Sequence, residues 1–468
     1  PAIGAGPIHG ARVLEPHPDL AGRTRFATTL PEHQAVEEAI RTLHAEHGVR
    51  TFNLSITYDD PFAGPHVGLL TEQLDTLIRE LGIVVVVSAG NLRASVDGSL
   101  PNGRHALDDY PDYLTDEMAR VAEPANAALA LTVGSIARSN APQTPGGVAR
   151  VGDRAIAEVD EMSPFSRTGP GTGRSQKPDM VTYGGNWVIN DTGRLDPNNL
   201  GVGVVSTTVP TGGRLFHMAS GTSFSAPRVT RLVADVWETY PEASANLVRC
   251  LVGLACRPTT AARDQFDEAE HQQRAIGLGT PSPAMARESG GNRVVMFFDG
   301  TIDPDSVVIH PLPIPADFAA GRSPRRIAAA LAFDPPVRRQ RREYLAATMT
   351  FDLVRAVSVA QLRDIYRHQG GEREEMLNDR RRVSLQPGTT RLSSSTLQVR
   401  EWRPRMMQVD DGDTYYLVVT HRRAPWGPDG AQTYAVAVEL VDEGRIQLDL
   451  YGLVQQRVEV PARARIRI

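Results

Sequence analysis

Residues 221–227 read Gly221-Thr222-Ser223-Phe224-Ser225-Ala226-Pro227 and stand directly before an amphipathic run over 229–240. A glycine and a small hydroxyl residue lead into Ser223, and a small-residue turn and a proline follow it. Proline suits the first turn of a helix, where its missing N–H is no loss. Ser223 is therefore expected at the N-terminus of a buried helix, where unpaired backbone N–H groups and the helix dipole favour negative charge. A serine that attacks a carbonyl needs such surroundings for the oxyanion it creates.

Upstream of this stretch the chain alternates between helical and strand patterns. Residues 11–14 form a short apolar string that predicts a strand. Residues 32–46 carry Val36, Ala39, Ile40 and Leu43 at the helical period, with Gly48 just beyond as a stop. A strand is expected over 49–56, then a helix over 69–81 with Leu70, Leu74, Leu77, Ile78 and Leu81 on one face, ended by Gly82. The all-apolar run 83–87 is the kind of strand that a parallel sheet covers on both faces. Another strand is expected over 128–135, and helices over 229–240 and 246–256. The polar stretch 91–123, with Asp108, Asp109 and Asp112, reads as a solvated loop. The fold class is α/β, a doubly wound and mostly parallel sheet whose ligands bind at the C-terminal strand ends.

Near residue 280 the composition changes, and from 292 the chain alternates in β fashion. Strands are expected over 327–333, 348–353, 415–420, 434–440 and 446–451, which suggests a C-terminal β-sandwich. The expected domains are therefore 1–285 and 292–468. Arg338, Arg339, Arg341 and Arg342, and then Arg380, Arg381 and Arg382, are expected as solvated surface.

The serine segment does not stand alone. Asn53-Leu54-Ser55, Ser88-Ala89-Gly90-Asn91, Leu131-Thr132-Val133-Gly134, Phe165-Ser166-Arg167-Thr168-Gly169-Pro170 and Lys177-Pro178-Asp179 precede it in that order. In these motifs and their order, roughly residues 8–285 resemble the subtilisin-like serine proteases, the subtilases. The resemblance implies a serine endopeptidase with Ser223 as nucleophile and Asn91 as the asparagine of the oxyanion hole. It also implies that Ser55, Ile56 and Thr57 on one side, and Ser88, Ala89 and Gly90 on the other, are extended edges lining the pocket for the residue before the scissile bond. Peptide or protein substrates would pair with them as an added strand. Thr57 departs from the glycine that the family often has there. Phe165–Pro170 and Lys177–Asp179 are expected to shape the fold.

A serine needs a histidine base, and the histidine an orienting carboxylate. The family order is aspartate, histidine, serine. His9-Gly10 is the one partial match to the histidine motif, but Ala11 stands where threonine is usual and Pro16 interrupts the helix that should follow. His17 reads as a loop residue and His217 as a strand or loop residue. No aspartate precedes His9. The expectation is that the catalytic aspartate and histidine lie upstream of Pro1 or on an associating piece or partner, and that this chain alone has weak or no proteolytic activity. The alternative is a catalytically degenerate subtilase fold that holds peptides in its cleft. No Gly-x-Ser-x-Gly elbow points to another hydrolase class.

Composition narrows the partners. A net charge of −5 argues against a dedicated nucleic-acid binder, and no apolar run approaches the ~18–20 residues that cross a bilayer. Lys177 is the only lysine among 50 basic residues. Cys250 and Cys256, placed on one predicted helix, would stand about 9 Å apart along its axis and read as buried thiols. The first residues lack a signal-peptide pattern, which favours the cytoplasm. No cofactor is expected. Calcium often stabilises subtilases, but no contiguous ligand loop indicates it here.

Overall fold

The computed structural model describes residues 7–16, 24–26, 29–144, 146–148, 150–211, 214–368, 371–377, 381–407, 415–455 and 464–467. The chain divides into two compact units. The first comprises 1–238, 256–281 and 339–342; the second comprises 239–255, 282–338 and 343–468. The helix expected over 246–256 spans Ala245–Leu254 and thus falls within the second unit.

In the first unit, helix α1 (Glu32–His47) leads to strand β1 (Thr51–Leu54), and α2 (Leu69–Leu81) to β2 (Val84–Ser88). Gly82 stops α2 in the left-handed region at φ 61°, which a residue without Cβ adopts freely. Strands β3 (Leu131–Ile136) and β4 (Met180–Tyr183) complete a four-stranded parallel sheet in the order β1-β2-β3-β4. Every residue of β2 and β3 is buried, as expected for strands covered on both faces. Val36 and Ile40 of α1 and Leu70, Leu74, Leu77 and Ile78 of α2 share one apolar cluster with Val85 and Val87 of β2.

Residues 11–14 do not join the parallel sheet: Leu14–Pro16 pairs antiparallel with Thr24–Phe26 in a separate ribbon. Gly10, Ala11 and Arg12 are exposed, whereas a strand of this sheet needs cover on both faces. The stretch 91–123 is no solvated loop. Leu92, Leu100, Ala106, Tyr113, Leu114 and Ala119 are buried with Ile136, Phe165 and Trp187 in a second cluster. Their spacing follows neither helix nor strand period, so the sequence pattern is silent about them.

Beyond β4, strands β5 (Val204–Thr211) and β6 (Arg214–Ala219) form an antiparallel hairpin that delivers the chain to α3 (Thr222–Thr239). Helix α3 starts seven residues earlier than the apolar period alone predicts, and it carries Pro227 inside it. Lys177, the single lysine, is buried: its Nζ donates to Ala130 O and Asp179 Oδ2, both at 2.7 Å. Asp179 Oδ2 also accepts the Thr132 N–H at 2.7 Å, so the pair ties the segment before β4 to β3. Asp179→Ala is expected to strand a buried ammonium and to lower stability by about 3–5 kcal/mol. Lys177→Met combined with Asp179→Asn removes both buried charges and keeps a side-chain oxygen for the Thr132 N–H, and a smaller loss is expected. Urea unfolding of both variants checks this order.

The second unit opens with α4 (Ala245–Leu254), capped by Ser244 Oγ, which accepts the Leu247 N–H at 3.1 Å. One antiparallel sheet has the order β7 (Arg293–Ile302), β13 (Gln432–Asp442), β9 (Arg325–Phe333), β11 (Leu397–Trp402). The other has the order β10 (Ala347–Val354), β12 (Tyr415–Arg423), β8 (Ser306–Leu312), β14 (Ala464–Arg467). Leu331, Phe333, Val436 and Leu440 of the first meet Phe351, Leu417 and Val419 of the second in one core. Helix α4 covers the outer face of the first sheet, and the helix Val359–Ile365 lies on the outer face of the second. Both faces are therefore covered along β9, which is buried at every position. Residues 446–451 are not a strand; Ile446 is exposed and a helix follows over Leu450–Gln455.

Arg249 of α4 is buried and donates to Asn246 Oδ1, Phe333 O and Thr396 Oγ1. Cys250 donates from Sγ to Ala435 O at 3.3 Å, and burial pushes its thiol pKa far up. Cys256 lies just beyond the helix, and both thiols are buried and outside any disulfide. Of the arginine patches, Arg339 pairs with Glu72 at 3.4 Å, and Arg382 pairs with Asp352 and Glu374, so these two are not merely solvated. Arg380 lies outside the described residues. Among the described residues no helix is long and apolar enough to cross a membrane.

Candidate active site

Ser223 is the second residue of α3, where backbone N–H groups have no helical acceptor. The Gly221 N–H donates to Gly184 O at 2.8 Å and so fixes the entry of the chain into the helix. Ser225, one turn in, exchanges hydrogen bonds with Thr182 of β4: its Oγ donates to Thr182 O at 3.1 Å, and Thr182 Oγ1 donates to Ser225 O at 3.0 Å. Pro227 has no N–H to give to the carbonyl four residues back, which is that of Ser223. The Ser55 hydroxyl reaches that carbonyl at 3.5 Å. Ser55 Oγ in turn accepts from Asn53 Nδ2 at 3.0 Å, and Asn53 Oδ1 accepts from Thr230 Oγ1 of α3 at 3.1 Å. The end of β1 is thereby tied to the helix that carries Ser223.

The turn after β2 brings Asn91 to the same place. Ala89 N–H donates to Val133 O at 2.9 Å, Arg167 N–H to Gly90 O at 3.2 Å and Leu92 N–H to Phe165 O at 2.7 Å. Asn91 Oδ1 accepts the Thr222 N–H at 2.9 Å and the Thr222 hydroxyl at 3.0 Å. The backbone N–H is an obligatory donor, so the carboxamide oxygen must face it and Nδ2 must face the other way. Nδ2 lies 3.2 Å from where a Cβ on Gly221 would stand, so it borders the peptide leading into Ser223. Asn91 is exposed, and no acceptor for its Nδ2 occurs among the described residues.

The two predicted edges differ. No backbone–backbone hydrogen bond engages residues 55–57 among the described residues, which leaves an open edge for another strand. On the other side Ser88, Ala89 and Gly90 are buried, and Ala89 N–H and Gly90 O are taken by Val133 and Arg167. Gly90 holds φ +92°, and a Cβ there would stand 2.9 Å from Arg167 Cδ and 3.2 Å from Thr57 Oγ1. Arg167 donates from Nη1 to Met118 O at 3.0 Å and Arg120 O at 2.8 Å, and from Nη2 to Asp59 O. Burial lowers its pKa, partly offset by Asp59 and Asp60.

The histidines lie elsewhere or make other contacts. His9 stacks on His47, at the last turn of α1, with ring centroids 4.0 Å apart and planes 16° apart. His217 is exposed on β6 opposite Ser206. His17 lies outside the described residues. Among the described residues no histidine nitrogen or carboxylate oxygen bonds to the Ser223 hydroxyl, and no group of three His, Cys, Asp or Glu side chains could hold a metal ion. The sequence gives Thr222 no role in the site, and Arg167 only a part in shaping the fold. Thr222 was within view in the quoted stretch, but its tie to Asn91 spans 131 residues.

Over residues 6–277 the chain matches the model of the subtilase family, Peptidase S8, and it belongs to that family. An uncharacterised protein of Sinorhizobium fredii, y4bN, is 35% identical over 434 residues, which span 90% of this chain and 99% of that protein. Among solved structures the chain is similar to the prenylagaramide maturation protease PagA at 16% identity and a TM-score of 0.33, covering 56% of this chain and 69% of that one. It is also similar to MycP1 with its N-terminal propeptide removed, at 20% identity and a TM-score of 0.31, covering 55% and 68%.

Proposed function

We propose that this chain is a serine endopeptidase whose nucleophile is Ser223 and whose oxyanion hole joins Asn91 Nδ2 to the Ser223 N–H. The observation that carries this is the pair of hydrogen bonds from Thr222 to Asn91 Oδ1, which fix the carboxamide with its Nδ2 bordering the Gly221 peptide that leads into Ser223. A peptide laid along the open edge 55–57 presents its carbonyl carbon to the Ser223 oxygen. As the C–O bond forms, the hydroxyl proton passes to a base and the carbonyl oxygen becomes the anion that the two N–H groups receive. Collapse expels the amine, which takes up that proton, and water then releases the acyl group. The base is a histidine in this family, and it comes from outside the residues that meet Ser223 among those described.

A fluorophosphonate probe tests the proposal on the intact protein. Labelled peptide carrying Ser223, and no label in Ser223→Ala, is the expected result. Absence of label from Ser223 rejects a working peptidase. A second function is favoured by the lack of any base bonded to Ser223 among the described residues: a peptide-holding protein without turnover. Peptide binding without labelling supports that alternative.

A further inference from the structure

The edges 55–57 and 88–90 approach each other closely at Thr57 and Gly90. Thr57 Oγ1 stands 3.2 Å from the position of a Cβ on Gly90. A Cα–Cβ bond adds about 1.5 Å, so the hydroxyl lies within about 4.7 Å of the Gly90 Cα. A ring slotted between two walls needs about 3.5 Å to each, or roughly 7 Å in all. The Arg167 stem closes the same space, with its Cδ 2.9 Å from that Cβ position. Arg167 is 4% exposed, and its guanidinium is held by three carbonyls, so it is not free to swing away.

The two sides are also pinned to one another. Asp59, two residues past Thr57, pairs with Arg93, two residues past Asn91, at 2.6 Å. The Asp59 carbonyl takes Arg167 Nη2 as well. Widening the slot would break an ion pair and a charge-assisted hydrogen bond together with the packing.

From this geometry we infer that the pocket for the residue before the scissile bond admits only small side chains, so that substrates carry glycine, alanine or serine there, and that Thr57 sets the limit. The inference deepens the proposed function and rests on its placement of the cleft. Pocket size acts on recognition: a misfit of even one methylene is worth 10- to 200-fold in a tight apolar site.

The test measures binding, so it does not wait on turnover. Two peptide boronates with the same leading residues, one ending in the alanine analogue and one in the phenylalanine analogue, are titrated calorimetrically into the intact protein. Wild type is expected to bind the alanine form at least tenfold tighter. Thr57→Gly is expected to narrow or reverse the ratio, and Thr57→Ser, which keeps the hydroxyl oxygen, to retain it. Thermal melting of each variant confirms that it is folded. Equal or tighter binding of the phenylalanine form by wild type overturns the inference and leaves the cleft in place. A ratio unmoved by Thr57→Gly also overturns it. If neither boronate binds, the cleft itself is wrong and the inference falls with it.

Discussion

Ser223→Ala is expected to lower turnover of the intact protein on a peptide anilide by roughly 10⁶-fold, the scale seen when a subtilisin loses its serine or its histidine. The hydroxyl has no neutral substitute in the site, because alanine leaves no atom to form the acyl bond. The fold should be nearly indifferent to the change. Ser223 makes its described contact through its carbonyl, which receives the Ser55 hydroxyl, and alanine keeps that carbonyl. A thermal midpoint close to wild type, with activity gone, is the expected pair of results. Turnover in Ser223→Ala above one per cent of wild type would show that another group attacks.

Asn91 gives the second large effect, and here two substitutions separate two roles. Asn91→Ala removes the Nδ2 donor and also releases the Thr222 N–H and hydroxyl from their acceptor. Loss of one oxyanion donor lowers kcat by roughly 10²–10³-fold in a subtilisin, about 2.7–4 kcal/mol. Asn91→Asp keeps an oxygen for Thr222, so the entry to α3 should stay in place, but it offers no donor and sets a negative charge beside the developing oxyanion. An equal or larger fall in kcat is expected for the aspartate, with KM little changed in both. If Asn91→Asp were active and Asn91→Ala were not, the residue would serve Thr222 and not the oxyanion. Steady-state kinetics with thermal melting checks both variants.

The sequence shows some levels of this molecule clearly. Helix α2 runs over the predicted 69–81 because leucines recur at its period and a glycine follows. The valine string of β2 reads as a doubly covered strand for an equally local reason. The stretch 91–123 reads as a loop because its buried side chains come at irregular intervals in a polar context, and only packing against Phe165 and Trp187 reveals them. Helix α4 reads as a helix, but nothing in its period says which sheet it covers; Arg249 and Cys250 decide that through partners in β9, β13 and the segment before β11.

What the sequence determined by itself is the family's order of motifs: a serine at a helix entry, an asparagine after a buried strand, and an open edge after another. Those are matters of residue type and short spacing, which the chain carries wherever it folds. The tertiary structure alone decided how Thr222 orients Asn91 and how Thr57, Arg167 and the Asp59–Arg93 pair close the slot. These depend on side chains tens to more than a hundred residues apart meeting within a few ångströms. No local pattern encodes such a meeting, because it is fixed by the summed packing of the sheet and the helices around it.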